Sequence, residues 1–172
     1  SFGEVRLGSS QADSVVLTNL STSFNTPLQV VVGLSSEEFV SDTDSLSIPP
    51  GQSRSVHVTF NPSATGASSA LLTLRSINDP DSTSAEVALS GVGVSPTIDI
   101  GLTGADYSLN FGSVRRIDSV ASRQFELTNS GTDRATIDGL NLDNLRFGAV
   151  LLGSSELEPG ETTIVEVTFG PQ

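Results

Sequence analysis

The sequence predicts an all-β protein of two tandem antiparallel β-sandwiches, residues 1–94 and 95–172. The first lacks its opening strand and the second lacks its last two. Three observations predict this. A block of landmarks recurs at a nearly fixed offset, apolar residues fall at every second position over short runs, and turn-forming residues separate the runs. Phe2-Gly3-Glu4-Val5 returns 109 positions on as Phe111-Gly112-Ser113-Val114, and Leu17-Thr18-Asn19 returns after 110 as Leu127-Thr128-Asn129. Pro50-Gly51 and Val58-Thr59-Phe60 both return after 109, as Pro159-Gly160 and Val167-Thr168-Phe169. Landmarks kept in one order at one spacing mark an internal repeat.

In chain order, Val15/Leu17, Val56/Val58/Phe60 and Ala70/Leu72/Leu74 have the two-residue period of a half-buried strand. Phe125/Leu127 and Val165/Val167/Phe169 repeat the pattern in the second half. Between them lie Asn25-Thr26-Pro27, Pro49-Pro50-Gly51, Asn78-Asp79-Pro80-Asp81, Ser130-Gly131-Thr132-Asp133 and Pro159-Gly160. These residues favour turns because Pro presets φ, Gly accepts positive φ, and Asn or Asp bonds nearby backbone. No stretch of a dozen residues sustains helical spacing, so short strands with regular punctuation point to sandwiches.

The run "FGEV", "VVLTN", "IPPGQSRSVHVTFNPSATGASSALLTLRSINDPDS" and "VALSGVG" resembles the ASPM-SPD2-Hydin (ASH) class of immunoglobulin-like domain. Bacterial tandem versions are known as choice-of-anchor D repeats. The resemblance covers residues 1–94 nearly end to end and 95–172 as far as they run. It implies a seven-stranded sandwich related to major sperm protein and pilus-chaperone folds, and it implies no catalytic site. That class begins with a Pro-x-Ile/Val strand, which Pro96-Thr97-Ile98-Asp99-Ile100 supplies for the second unit. The first unit has no such strand, and the second has nothing matching Thr65–Gly93.

Composition narrows the function. The chain has a net charge of −12, with no Cys, no Met and no Trp, and its eight basic residues are all arginine. Polyanion binding needs a basic stripe that neutralises phosphates, and only Arg115 and Arg116 are adjacent. Nucleic acid and anionic membrane surfaces are therefore disfavoured as partners. No apolar run approaches the roughly 20 residues of a spanning helix, and no membrane insertion is expected. Without Cys there are no disulfides, thiolate nucleophiles or Cys-based metal sites. Starting at Ser1 with no methionine, the sequence reads as a segment of a longer product.

No residue set carries an enzymatic chemistry, so no enzyme is expected. His57, the one histidine, shares the outward face of its strand with Ser55 and Thr59. There is no Gly-x-Ser-x-Gly elbow, no lysine for Ser–Lys or Schiff-base schemes, and Gly101-Leu102-Thr103-Gly104 lacks the rest of a dinucleotide fingerprint. Asp42, Asp44, Asp79 and Asp81 offer oxygen ligands suited to Ca²⁺. Neither cluster has the twelve-residue loop spacing, and turn chemistry accounts for both, so no cofactor is expected. Tyr107 is the one polar-tipped aromatic and the candidate ligand contact. Glu37-Glu38-Phe39 and Leu145-Arg146-Phe147 correspond, and the Phe of each is expected to plug one end of its sandwich. The short junction Gly91–Pro96 predicts a rod-like pair.

Two absent strands that each bury three apolar side chains would cost about 1.5–3 kcal/mol per side chain, comparable to a small domain's stability. Three arrangements would supply that surface: continuation of the chain beyond Gln172, a natural short form, or strand donation from another copy. The expected function is a structural or adhesive module of a secreted or cell-surface bacterial or archaeal protein. It would act as a stalk spacer or fibre subunit whose partners are neighbouring repeats or other copies. The alternatives are a carbohydrate- or peptide-binding module and an intracellular ASH-type scaffold.

Overall fold

A computed structural model describes residues 1–21, 26–79, 84–102, 107–115 and 119–170. Asn25, Pro80, Asp81, Thr103, Gly104, Arg116 and Gln172, singled out above, lie outside the described residues. The chain divides into two compact units, Ser1–Val94 and Ser95–Gln172.

The first unit contains β1 (Glu4–Arg6), β2 (Gln11–Thr18), β3 (Leu28–Leu34), β4 (Phe39–Ser41), β5 (Ser45–Ile48), β6 (Ser53–Phe60), β7 (Gly66–Ser76) and β8 (Ala85–Val94). They form a five-stranded sheet, β1-β8-β7-β3-β5, and a three-stranded sheet, β2-β6-β4. Alternation decides the faces. Val56, Val58 and Phe60 point inward from β6, and Ala70, Leu72 and Leu74 meet them from β7. Every pairing is antiparallel except β1 with β8, which is parallel with Val5 opposite Gly93.

The second unit contains β9 (Ile98–Ile100), β10 (Ala121–Asn129), β11 (Ala135–Thr136), β12 (Phe147–Leu151), β13 (Glu156–Leu157) and β14 (Thr162–Phe169). Its four-stranded sheet runs β12-β14-β10-β9, and β11 pairs only with β13. The registers repeat those of the first unit. Phe169 faces Ala121 and Phe147 where Phe60 faces Gln11 and Phe39. Likewise Ala135 faces Leu157 where Leu28 faces Ile48.

Two devices recur in both units. Asn19 is buried, donates from Nδ2 to the Ile48 carbonyl at 2.9 Å and accepts from Ser21 N at 3.0 Å. Asn129 donates to the Leu157 and Asp133 carbonyls, both at 2.8 Å, and accepts from Gly131 N at 3.0 Å. Each side chain ties the end of one sheet to the other. Beside each lies a tight turn with Pro then Gly at its centre. Gln52 N donates to Pro49 O and Glu161 N donates to Glu158 O, both at 3.0 Å. Gly51 and Gly160 take φ of 70° and 83° there, as a type II turn requires.

The units differ where strands are absent. In the first, β3 extends to Leu34 because β7 pairs with it from Val30 onward. In the second, no strand among the described residues occupies the place of β7, and β11 ends at Thr136, with Ile137 N still donating to Ser155 O at 2.8 Å.

Candidate functional site

The described candidate calcium ligands, Asp42, Asp44 and Asp79, make local hydrogen bonds. Asp42 Oδ1 accepts from His57 N at 3.0 Å, and Asp44 Oδ1 accepts from Ser45 Oγ at 3.2 Å. Asp79 N donates to Ser76 Oγ at 3.1 Å. Its neighbour Asn78 binds both Gln29 N and Pro27 O at 2.9 Å, closing the turn. Among the described residues no three His, Cys, Asp or Glu side chains gather as a metal cluster. The His57 ring stands on the exposed face.

Tyr107 is different. It is 62% exposed, adopts a left-handed φ of 44°, and stands at an open groove of about 450 Å³ in the second unit. Phe111, Phe125, Phe147, Val165 and Val167 line it, with Leu102, Leu109, Ala149 and the segment Gly139–Leu142. No lining residue is charged.

The first unit shows what this lining is. There Phe2, Phe39 and Phe60 form an aromatic trio, with Phe39 stacked on Phe60 at 4.7 Å and Phe2 at 5.5 Å from Phe39. All three are buried, Phe60 completely. In the second unit Phe111, Phe147 and Phe169 repeat the trio, at 5.7 Å and 4.9 Å. All three remain only half-buried. The difference is the β7–β8 hairpin, which covers the trio in the first unit. Gly91 of β8 lies so close that a Cβ there would come within 2.6 Å of Phe60 Cδ1. Phe39 thus plugs a closed sandwich, whereas Phe147 lines an open one.

Glu38 adds a polar clamp in the first unit. Its Oε1 accepts from Ser63 N at 2.8 Å and Ser63 Oγ at 2.6 Å, and its Oε2 accepts from Ser68 Oγ of β7 at 2.5 Å. The Ser63 hydroxyl, then the Ser68 hydroxyl and the Ser63 amide, lower the Glu38 pKa to about 2. Arg146 holds the corresponding place in the second unit. Gly170 N donates to Arg146 O as Asn61 N donates to Glu38 O. Sequence reasoning paired Glu38 with Arg146 but assigned neither a role. The charge reversal between the copies was the available signal.

Two facing antiparallel sheets with a repeated aromatic and asparagine frame define immunoglobulin-like sandwich modules. Within that class, the Cep192 domain 4 family matches residues 1–94, and the chain belongs to this family of ASH-type immunoglobulin-like domains. No curated protein matches the sequence. Among solved structures the chain is similar to a protein of unknown function from Porphyromonas gingivalis W83, at 16% identity and a TM-score of 0.43, covering 98% of this chain and 78% of that one. It is also similar to the CsuC–CsuE chaperone–tip adhesion subunit complex of Acinetobacter baumannii, at 12% identity, TM-score 0.38 and coverage of 95% and 82%. The D0–D1 domain of intimin is a third, at 13% identity, TM-score 0.38 and coverage of 99% and 80%.

Proposed function

We propose that the chain is a non-catalytic structural or adhesive module of the choice-of-anchor D kind, a stalk spacer or fibre subunit of a secreted or cell-surface protein. One observation supports the reading: the two units repeat a frame and not a chemistry. The aromatic trio, the buried Asn and the Pro-Gly turn recur. His57, by contrast, stands where the second unit has Glu166, and Glu38 stands where it has Arg146. A catalytic or metal site serving both units would have to preserve its polar groups, and these change. A charge of −12 without lysine or cysteine suits a soluble, self-repelling surface outside the cell. The partners are neighbouring repeats of a longer chain or other copies.

Antibodies against the chain should label intact cells of the source organism, and protease added outside should remove the label. Labelling only after permeabilisation would overturn the reading. A second reading rests on Tyr107, exposed at an uncharged groove, as one contact of a carbohydrate- or peptide-binding module. It requires saturable binding on a glycan or peptide array that Tyr107→Ala abolishes.

A further inference from the structure

Both units have a sheet edge that completing the sandwich does not cover. In the first unit β4 is the outer strand of β2-β6-β4, although the β7–β8 hairpin is already in place in the other sheet. In the second unit β12 holds the same position at the end of β12-β14-β10-β9. A hairpin added to the second unit on the plan of the first would roof its groove and leave β12 an edge.

The backbone of the two edges is set alike. Leu152 N donates to Ile164 O and Gly170 N to Arg146 O, so Arg146, Gly148, Val150 and Leu152 bond inward to β14. Phe147, Ala149 and Leu151, which alternate with them, turn their amides and carbonyls away from the sheet. Of these, Phe147 N is taken by Asn144 O at 3.1 Å. In β4, Asp42 N donates to His57 O and Asn61 N to Glu38 O, which turns Phe39 and Ser41 outward. There Phe39 N is taken by Ser36 O at 3.4 Å. Such outward groups are a template for strand addition.

Charge decides what fits each edge. The second unit has no charged residue from Phe147 to Ser155, and Val150 and Leu152 are 50% and 52% exposed. With Phe147 aligned on Phe39, their counterparts are Asp42 and Asp44, which follow β4, while Glu37 and Glu38 precede it. Arg146 precedes β12, exposed and without an ion pair among the described residues. Antiparallel pairing of β4 with itself would set Glu38 against Asp42, like against like. Pairing of β12 with itself would set Arg146 beside Leu152, with no counter-charge. Pairing of β12 with β4 brings Arg146 to the Asp42–Asp44 end and puts Val150 beside Val40, itself 51% exposed.

We propose that β12 adds antiparallel to β4 of another copy of this chain, with Ala149 opposite Ser41. That register makes three backbone bonds: Ala149 N to Ser41 O, Ser41 N to Ala149 O, and Leu151 N to Phe39 O. The contact joins unlike surfaces, and every copy offers one of each. The proposal rests on the fibre-subunit reading and names the surfaces that join its copies.

Sedimentation velocity of the full chain at rising concentration tests it, with amide exchange locating the contact. Association should protect the Ser41, Ala149 and Leu151 amides and leave those of Gly148 and Val150, already bonded within the sheet, unchanged. Arg146→Asp and Asp44→Arg should each weaken association by about tenfold or more, because like charges then meet at the junction. An equal mixture of these two variants should recover it, since each presents the charge that the other's edge requires; two folding defects would not cancel in this way. Val150→Lys, which puts a charge on the edge, should abolish association.

A chain that stays monomeric throughout overturns the proposal. So does protection that is independent of concentration, protection of β12 without β4, or protection at β9 or β11 in their place. Failure of the mixture to recover association overturns it as well. Each of these results leaves the structural-module reading standing, because surface labelling tests that reading.

Discussion

Truncating Phe60 and Phe169 places one perturbation in two surroundings. Phe60 is 0% exposed, stacked on Phe39 at 4.7 Å and an interplanar angle of 24°, and roofed by Gly91. Phe169 keeps Phe147 at 4.9 Å and Phe111 at 5.9 Å but has no roof. In Phe60→Ala the void is enclosed, so the loss should reach the upper part of the range for such truncations, about 4–5 kcal/mol. Phe169 is only partly buried, so Phe169→Ala removes less buried surface and aromatic contact and should cost less, about 2–3 kcal/mol. Residue-resolved amide exchange measures each loss where it falls, at Leu72 of β7 for Phe60→Ala and at Val165 of β14 for Phe169→Ala. The exchange free energies should drop by amounts differing by about 2 kcal/mol. Equal losses would refute the claim that an absent hairpin leaves this trio open, and a larger loss at Phe169 would reverse it.

Three further outcomes follow from the polar devices. The Glu38 carboxyl titrates near 4.5 when unfolded and near 2 when folded, so its hydrogen bonds favour the fold at higher pH. That contribution fades as the pH falls from about 4.5 toward 2. The Tm gap between the native chain and Glu38→Gln should close over the same interval, and a gap that widens on acidification contradicts the assignment. Asn129→Ala leaves the Asp133 and Leu157 carbonyls without their donors and should cost about 2–3 kcal/mol in urea unfolding. Asn129→Asp, which keeps an acceptor but loses the donors, should not recover the loss. Thr163 Oγ1 is buried without a hydrogen-bond partner. Thr163→Val should therefore raise the urea midpoint, by about 1 kcal/mol of stability, and a lowered midpoint would mean that hydroxyl is satisfied.

The frame was legible because it rests on period and repetition. Val56, Val58 and Phe60 announce an inward face at two-residue spacing, and the recurrence of Phe2, Pro50 and Phe60 at one offset sets the registers of both units. The place of β9 could be read from Pro96–Ile100, since the repeat supplied its context. Other features were not legible. Leu-Thr-Asn was visible as a landmark, yet nothing local says that Asn19 and Asn129 turn inward to bridge sheets; that depends on carbonyls 29 and 28 residues away. The end of β11 at Thr136 was equally hidden, although Asp138 and Gly139 are residues that disfavour strands. Tyr107 could be singled out as a lone tyrosine, but its place at the groove is set by Phe111, Phe125 and Val167, which lie on separate segments.

The parallel alignment of β1 and β8 bears on how the first unit would withstand tension. Forces applied to β1 and β8 from their opposite ends would drag the two parallel strands lengthwise in opposite directions. Their shared bonds, from Phe2 to Ser90, Val92 to Gly3 and Leu7 to Val94, then lie across the direction of sliding and must rupture together. An antiparallel closing pair pulled from one end would peel open bond by bond, at far lower load. The first unit is thus wired as a shear clamp.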